Sequence, residues 1–115
     1  MLRGEIRLVD LDPARDAEVN KRRPAVIVSN DRANATAARL GRGVVTVVPV
    51  TSNLAHVYPF QVALPAEETG LRRGCKAQAE QIQSVSVERV GRTLGLVPAQ
   101  RMAQLDDALR LHLQI

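Results

Sequence analysis

Two apolar runs on either side of an alanine-rich segment decide the fold. They are Pro24-Ala25-Val26-Ile27-Val28-Ser29-Asn30 and Val44-Val45-Thr46-Val47-Val48-Pro49-Val50-Thr51. Short runs rich in β-branched residues, bounded by polar and turn residues, predict buried strands, and Pro24 fits only at a strand start, where no ladder N–H is needed. Between the runs, Asn30 or Asp31 can cap a short helix that stops before Gly41. The segment therefore predicts a strand, an inserted helix and a second strand.

The pairing of these two strands makes a testable prediction of register. If they are antiparallel neighbours, residue 30 lies opposite 44 and residue 24 opposite 50, and one further step places Arg23 beside Thr51. The loops 12–23 and 51–57 then leave the same edge of the sheet. Function concentrates on loops that a rigid scaffold holds in place, so we expect the site at this edge.

The rest of the chain also shows strand and helix patterns. Alternating or apolar runs predict strands over residues 5–11, 58–64, 75–85 and 93–97, and apolar residues at helical spacing after Pro98 predict an amphipathic closing helix. We expect one domain over residues 1–115, of the α+β class. It would be a small, mostly antiparallel sheet or partly closed barrel, with one short inserted helix and the C-terminal helix.

Composition excludes several classes of protein. The 115 residues are 45% hydrophobic and carry a formal charge of +4, which suits a folded domain and permits an anionic partner. Aromatic residues make up only 2%, which argues against the aromatic platforms of single-strand nucleic-acid binders. One cysteine, Cys75, and two distant histidines, His56 and His112, argue against a disulfide, a metal site or a metal cofactor. The charged start and the absence of a long apolar run predict no signal peptide or membrane segment, and hence a cytoplasmic protein.

The juxtaposition of Arg23 and Thr51 permits a definite chemistry. Arginine binds phosphate oxygens bidentately, and threonine supplies a hydroxyl. RNA cleavage can use the 2′-hydroxyl of the substrate as nucleophile, so the protein need only hold the geometry and stabilise charge at phosphorus. Glu18 and His56 are further acid or base candidates in the two loops. A solvated loop arginine and ordinary turn chemistry at Thr51 remain the alternative at this point.

Five motifs in order resemble the MazF/PemK family of toxin endoribonucleases, and the resemblance spans essentially the whole chain. The motifs are Arg3-Gly4-Glu5-Ile6 with Val9-Asp10-Leu11-Asp12-Pro13, Arg23-Pro24-Ala25-Val26-Ile27-Val28-Ser29-Asn30-Asp31, Val48-Pro49-Val50-Thr51-Ser52-Asn53, Ala79-Glu80-Gln81-Ile82 and the ending Leu105-Asp106-Asp107-Ala108-Leu109-Arg110-Leu111-His112-Leu113. The resemblance implies an SH3-like or PemK-like barrel that forms a homodimer. It also implies metal-independent cleavage of single-stranded RNA to 2′,3′-cyclic phosphate and 5′-hydroxyl ends, and a MazE-type antitoxin that lays an acidic segment into the RNA groove.

The resemblance also implies roles for particular residues. Arg23 and Thr51 correspond to the catalytic pair of the family, and Glu18 to its loop glutamate. Contacts to RNA or antitoxin are expected at Asn30, Ser52, Asn53, Glu80 and Gln81, and we add His56 as an RNA contact from its loop position. The chain departs from the family pattern at Asp16-Ala17, where Gly-Ser is common, and at Arg7-Leu8, where aromatic residues are common.

Two other functions are compatible with the same barrel. A gyrase-poisoning toxin would, to judge by the family, need a tryptophan near its C-terminus, and the chain has none. An inactive RNA-binding or partner-binding module would not require the pair Arg23 and Thr51.

Overall fold

The computed structural model describes residues 1–11 and 22–115. Its strands and its two longer helices follow the predicted order, and the short helix over Ala66–Thr69 was not predicted. The strands are β1 (Glu5–Asp10), β2 (Arg22–Ile27), β3 (Val44–Thr51), β4 (Gln61–Leu64), β5 (Cys75–Gln78), β6 (Gln83–Ser86) and β7 (Val90–Leu96). The helices are α1 (Asp31–Leu40), α2 (Ala66–Thr69) and α3 (Ala99–Leu113), and two 3-10 turns cover Ala79–Gln81 and Val87–Arg89. The α+β class, the inserted helix and the closing helix are confirmed.

The strands form one antiparallel sheet with β3 near its centre. The order is β4-β5-β3-β2-β1-β7, and β6 also pairs with β3. Among the described strands, no pairing joins β4 to β7, so the sheet is open and the expected closure into a barrel is corrected. None of the helices in the described ranges is long and apolar enough to cross a membrane.

The predicted register between the first two buried strands is confirmed. Ala25 lies opposite Pro49 and Ile27 opposite Val47. The same register, continued along β2 and β3, places Arg23 opposite Thr51. The printed pairs end at Ala25 and Pro49, and the continued register brings the two candidate residues to the same end of the two strands.

The predicted single strand over residues 75–85 is wrong in one respect, because it is two strands. Val50 pairs with Ala77, and continuous pairing would place Val47 opposite Glu80, yet Val47 pairs with Gln83. The three residues Ala79–Gln81 are therefore extra and form a 3-10 turn. Both β5 and β6 pair with the same edge of β3. The alternation of side chains therefore resumes after the turn.

Both faces of the central strands are buried. Alternate residues of β2 and β3 pack in two clusters, one beneath α3 with Met102 and Leu105 and the other against Ala37 of α1. Successive side chains of a strand point to opposite faces of the sheet. Because both faces are buried here, nearly every position of these strands can be apolar. This two-sided burial explains the rigid edge from which the site loops emerge.

Candidate functional site

A cavity of about 500 Å³ opens where β2 begins and β3 ends. Its lining combines these strand ends with the segment before β5. The lining residues are Arg23, Pro24, Pro49, Val50, Thr51, Ser52, Leu71, Arg72, Arg73, Gly74, Cys75 and Gln78. The edge predicted from chain order is therefore a concave site with the predicted catalytic pair in its wall.

The loop after β3 fixes the Thr51 hydroxyl. The backbone N–H of Asn53 donates to Thr51 Oγ1 at 3.2 Å, and the backbone N–H of Ala55 donates to Asn53 Oδ1 at 3.1 Å. A hydroxyl that accepts from the loop keeps its own hydrogen for donation. Thr51 is partly buried and Arg23 is exposed, so the threonine is positioned by the fold and the guanidinium can reach a ligand.

Two arginines that sequence reasoning missed also line the cavity. Arg72 and Arg73 lie just before β5 and are exposed. Among the described lining residues, every charged side chain is an arginine, which favours an anionic ligand. Two adjacent arginines in a turn-rich stretch could have been recognised as a possible anion-binding pair. The order of the strands along the chain, however, did not predict that this stretch lies beside Arg23.

The other predicted RNA contacts lie at different distances from the cavity. Ser52 lines it, whereas Asn53 and His56 are exposed on the loop after β3 and are not part of its described wall. Asn30 caps α1 by accepting from the Ala33 N–H at 2.8 Å, which is a structural task that leaves its amide N–H groups available. Glu18 lies outside the described residues.

Glu80 and Gln81 sit in the 3-10 turn between β5 and β6. Glu80 Oε2 accepts from Gln61 Nε2 at 2.7 Å, and its other carboxylate oxygen is buried without a hydrogen bond from the described residues. Gln81 is exposed. Neither residue lines the cavity as described, so their RNA or antitoxin contacts stay predictions for a neighbouring surface.

Aromatic rings gather on the loop that follows Ser52, although aromatic residues are rare in the chain. The His56 and Tyr58 centroids lie 5.7 Å apart, and the Tyr58 and Phe60 centroids 5.3 Å apart, with both pairs stacked. The few aromatic residues are close together because alternate positions of one loop hold the only tyrosine, the only phenylalanine and one histidine of the chain.

Cys75 is a packed strand residue. Burial raises the pKa of its thiol to about 11, so the reactive thiolate is scarce at neutral pH. No group of three or more His, Cys, Asp or Glu residues in the described ranges is arranged to hold a metal ion.

Fold, site and sequence together define a family. The model for the PemK-like, MazF-like toxin of type II toxin–antitoxin systems matches residues 2–113, and the chain belongs to this family. Endoribonuclease MazF9 of Mycobacterium tuberculosis is 68% identical over 115 residues, which cover 100% of this chain and 98% of the relative. The resemblance seen in the sequence is thereby confirmed.

Solved structures show the same architecture. The MazE–MazF complex of Deinococcus radiodurans has a TM-score of 0.76 at 26% identity, covering 100% of this chain and 97% of the matched chain. An endoribonuclease in complex with its cognate antitoxin, from a mycobacterial species, also has a TM-score of 0.76, at 24% identity, covering 100% of this chain and 96% of the other. The second match bears on the fold alone.

Proposed function

We propose that this endoribonuclease toxin of the MazF/PemK family cleaves single-stranded RNA at short sequences. Cleavage uses no metal ion or cofactor and leaves a 2′,3′-cyclic phosphate and a 5′-hydroxyl. One observation carries the proposal: Arg23, near the start of β2, and Thr51, at the end of β3, both line an arginine-rich cavity. The 68% identity to a relative named as an endoribonuclease supports the class of activity.

The proposed reaction is an internal transfer at phosphorus. The substrate 2′-hydroxyl gives up its proton while its oxygen bonds to the adjacent phosphorus, and the P–O5′ bond then breaks as the 5′-oxygen takes up a proton. The protein contributes by holding the attacking and leaving oxygens in line and by stabilising the charge that builds on the phosphate oxygens. The nucleophile belongs to the RNA, so no side chain needs to be strongly nucleophilic.

The side chains of the cavity divide this work. Arg23 binds two oxygens of the scissile phosphate through its planar fork, and Thr51 donates its hydroxyl hydrogen to the same group. The loop hydrogen bond from the Asn53 N–H orients that hydroxyl. Arg72 and Arg73 hold the neighbouring phosphates, which steers the backbone into the cavity.

Two residues remain candidates for proton transfer or its support. Glu18, the counterpart of the family glutamate, is proposed to orient Arg23 or to accept the 2′-hydroxyl proton. His56 lies on the loop that begins at Thr51, and we assign it a contact with RNA and only a minor part in chemistry. Ser52, Asn53, Asn30, Glu80 and Gln81 are proposed to contact RNA or antitoxin around the cavity.

The proposed partners follow from charge and from the family. An acidic segment of a MazE-type antitoxin would compete with RNA for the arginines Arg23, Arg72 and Arg73, which explains neutralisation by occupancy. We further propose that the toxin acts as a homodimer in the cytoplasm, where mRNA is available. Light scattering of the purified protein measures its mass in solution. A dimeric mass is expected, and a monomeric mass at working concentration contradicts the proposed homodimer.

The experiment is incubation of the purified protein with a long single-stranded RNA in excess EDTA, followed by mapping of the new 5′ ends. The proposal predicts discrete cuts at a recurring short sequence. A requirement for added Mg²⁺ or Zn²⁺ contradicts the mechanism. No cleavage, with binding retained, would instead favour an inactive RNA-binding module, and supercoiling inhibition without cleavage would favour a gyrase-directed toxin.

A further inference from the structure

The ring stack, defined by His56, Tyr58 and Phe60, is an exposed feature that phosphate chemistry does not use. Tyr58 leaves 48% of its surface accessible, and His56 is exposed as well. The ring centroids are 5.7 and 5.3 Å apart in the two stacked pairs. These are all the Tyr and Phe residues of the chain, which has no Trp. The aromatic surface of the protein is therefore concentrated at one place.

Buried polar side chains hold the ring stack from beneath. Lys76 is only 6% exposed, and its ammonium group donates to the backbone oxygen of His56 and lies 5.8 Å from the Tyr58 ring centroid. Gln61, 7% exposed, accepts from the Tyr58 N–H at 3.2 Å, and its own N–H donates to Tyr58 O at 2.8 Å. Glu80 in turn accepts from the Gln61 amide at 2.7 Å.

This support is unusual for an exposed loop. Burying an ammonium group costs free energy unless it is well partnered, and here the buried Lys76 ammonium binds the backbone of an exposed segment. The core gains little from these rings, since Tyr58 and His56 stay accessible. A rigid, outward-facing aromatic surface is what recognition of a planar ligand requires.

The position of the ring stack links it to the cavity. Lys76 pairs with Thr51 across β3 and β5, so the residue that anchors the ring stack is the strand neighbour of the proposed catalytic threonine. The loop from Ser52 to Phe60 connects the two directly. The ring stack therefore follows directly on the chain after Thr51 and Ser52, which line the cavity.

We propose that the ring stack is a platform on which an unpaired nucleobase next to the scissile phosphate stacks, with Lys76 and Gln61 as positioning residues. The proposal rests on the proposed ribonuclease function and deepens it, because it names a base-binding element of the site. Aromatic side chains accept any base through their π-faces, so the platform contributes affinity and selects single strands over duplexes, whose bases are already stacked.

The first experiment uses the tyrosine itself as the reporter. Tyr58 is the only tyrosine and the chain has no tryptophan, so the intrinsic emission comes from the ring stack alone. The probe is a short single-stranded RNA with 2′-O-methyl riboses, which cannot undergo 2′-hydroxyl attack. After correction for absorption, its binding is expected to quench the emission, and an abasic chain with the same number of phosphates is expected to bind without that quenching.

The second experiment compares Tyr58→Leu with the matched control Tyr58→Phe, which keeps the ring. Fluorescence anisotropy with the 2′-O-methyl probe should show about tenfold weaker binding for Tyr58→Leu, within the range known for removing one stacking ring. Tyr58→Phe should bind like the wild type, and both variants should bind the abasic chain like the wild type. Thermal unfolding checks that the leucine variant is folded.

The outcomes separate this proposal from the proposed function. A wild-type protein that cuts RNA but shows no quenching, together with unchanged binding by Tyr58→Leu, overturns the platform alone and leaves the rings to a protein partner. Quenching with the predicted loss of affinity, in a protein that does not cut RNA, supports the platform as a base-binding site and overturns the ribonuclease proposal. A wild-type protein that does not bind the 2′-O-methyl probe overturns the platform.

Discussion

Replacing Arg23 by lysine removes the planar fork and keeps the positive charge. Arg23 is exposed at the start of β2, so the exchange should change the free energy of unfolding by no more than about 0.5 kcal/mol. A lysine at this position can still reach a phosphate, because residue 23 lines the cavity. Any large loss of activity therefore reports the geometry of the donors and not the charge or the fold.

The expected loss follows from the number of oriented donors. Arginine offers two parallel N–H groups to two phosphate oxygens, whereas lysine offers a single point charge. One oriented donor to developing charge contributes roughly 3–4 kcal/mol, or about 10²–10³ in rate. Arg23→Lys should therefore lower the single-turnover cleavage rate by about that factor, while binding of a 2′-O-methyl RNA falls much less.

The assay is single-turnover cleavage of a labelled RNA that spans a mapped cut, at saturating protein. Arg42→Lys is the matched control, because Arg42 is also exposed but lies beyond α1, away from the cavity. It should cleave like the wild type. A folded Arg23→Lys protein that cleaves within a fewfold of the wild type would refute the assignment of Arg23.

Four further predictions use the same protein. Thr51→Ala should lose activity about as far as Arg23→Lys, roughly 10²–10³-fold, and Thr51→Ser should retain part of it in the same cleavage assay; equal rates for the two variants exclude the hydroxyl. His56→Ala should slow single-turnover cleavage by less than about tenfold, or ~1.4 kcal/mol, and a hundredfold loss together with a changed shape of the pH–rate profile would make His56 catalytic. In Gly95→Ala the new Cβ would lie 2.5 Å from the carbonyl oxygen at the end of α2, so thermal unfolding should show a loss of roughly 1–3 kcal/mol or more. The control Gly41→Ala, with φ at +65° and no heavy atom within 4 Å, should lose less, and equal losses contradict the contact argument. Because burial raises the pKa of Cys75 from 9.0 to about 11, the unfolded thiol ionises first, so stability is lost as pH rises from about 9 towards about 11; iodoacetamide should modify the folded protein slowly at pH 8, and rapid modification contradicts the burial.

The sequence predicted the structural elements that depend on residues close together in the chain. The β-branched runs, the Asn30 cap and the apolar spacing of α3 all depend on residues close in the chain, and each is confirmed. The β2–β3 register followed from chain order because only α1 separates the two strands. The pair Arg23 and Thr51 was therefore predictable before any comparison with the family.

The missed features depend on contacts between distant segments. The turn at Ala79–Gln81 arises because β5 and β6 share one edge of β3 in displaced registers, which the alternation of residues 75–85 alone does not reveal. Arg72 and Arg73 reach the cavity through the path of the chain before β5. The ring stack depends on Lys76, whose burial beneath an exposed loop no local pattern indicated.

The central claim is that the RNA supplies the nucleophile and the protein holds the phosphate with Arg23 and Thr51. Its most direct test is a labelled RNA spanning a mapped cut in which only the ribose 5′ to the scissile phosphate is changed to 2′-deoxyribose, incubated with the wild-type protein in EDTA. Loss of the cut at that bond, with unchanged binding and cleavage of the all-ribose parent to a 2′,3′-cyclic phosphate, is the predicted result. Continued cleavage of the substituted bond would show attack by water and contradict the account.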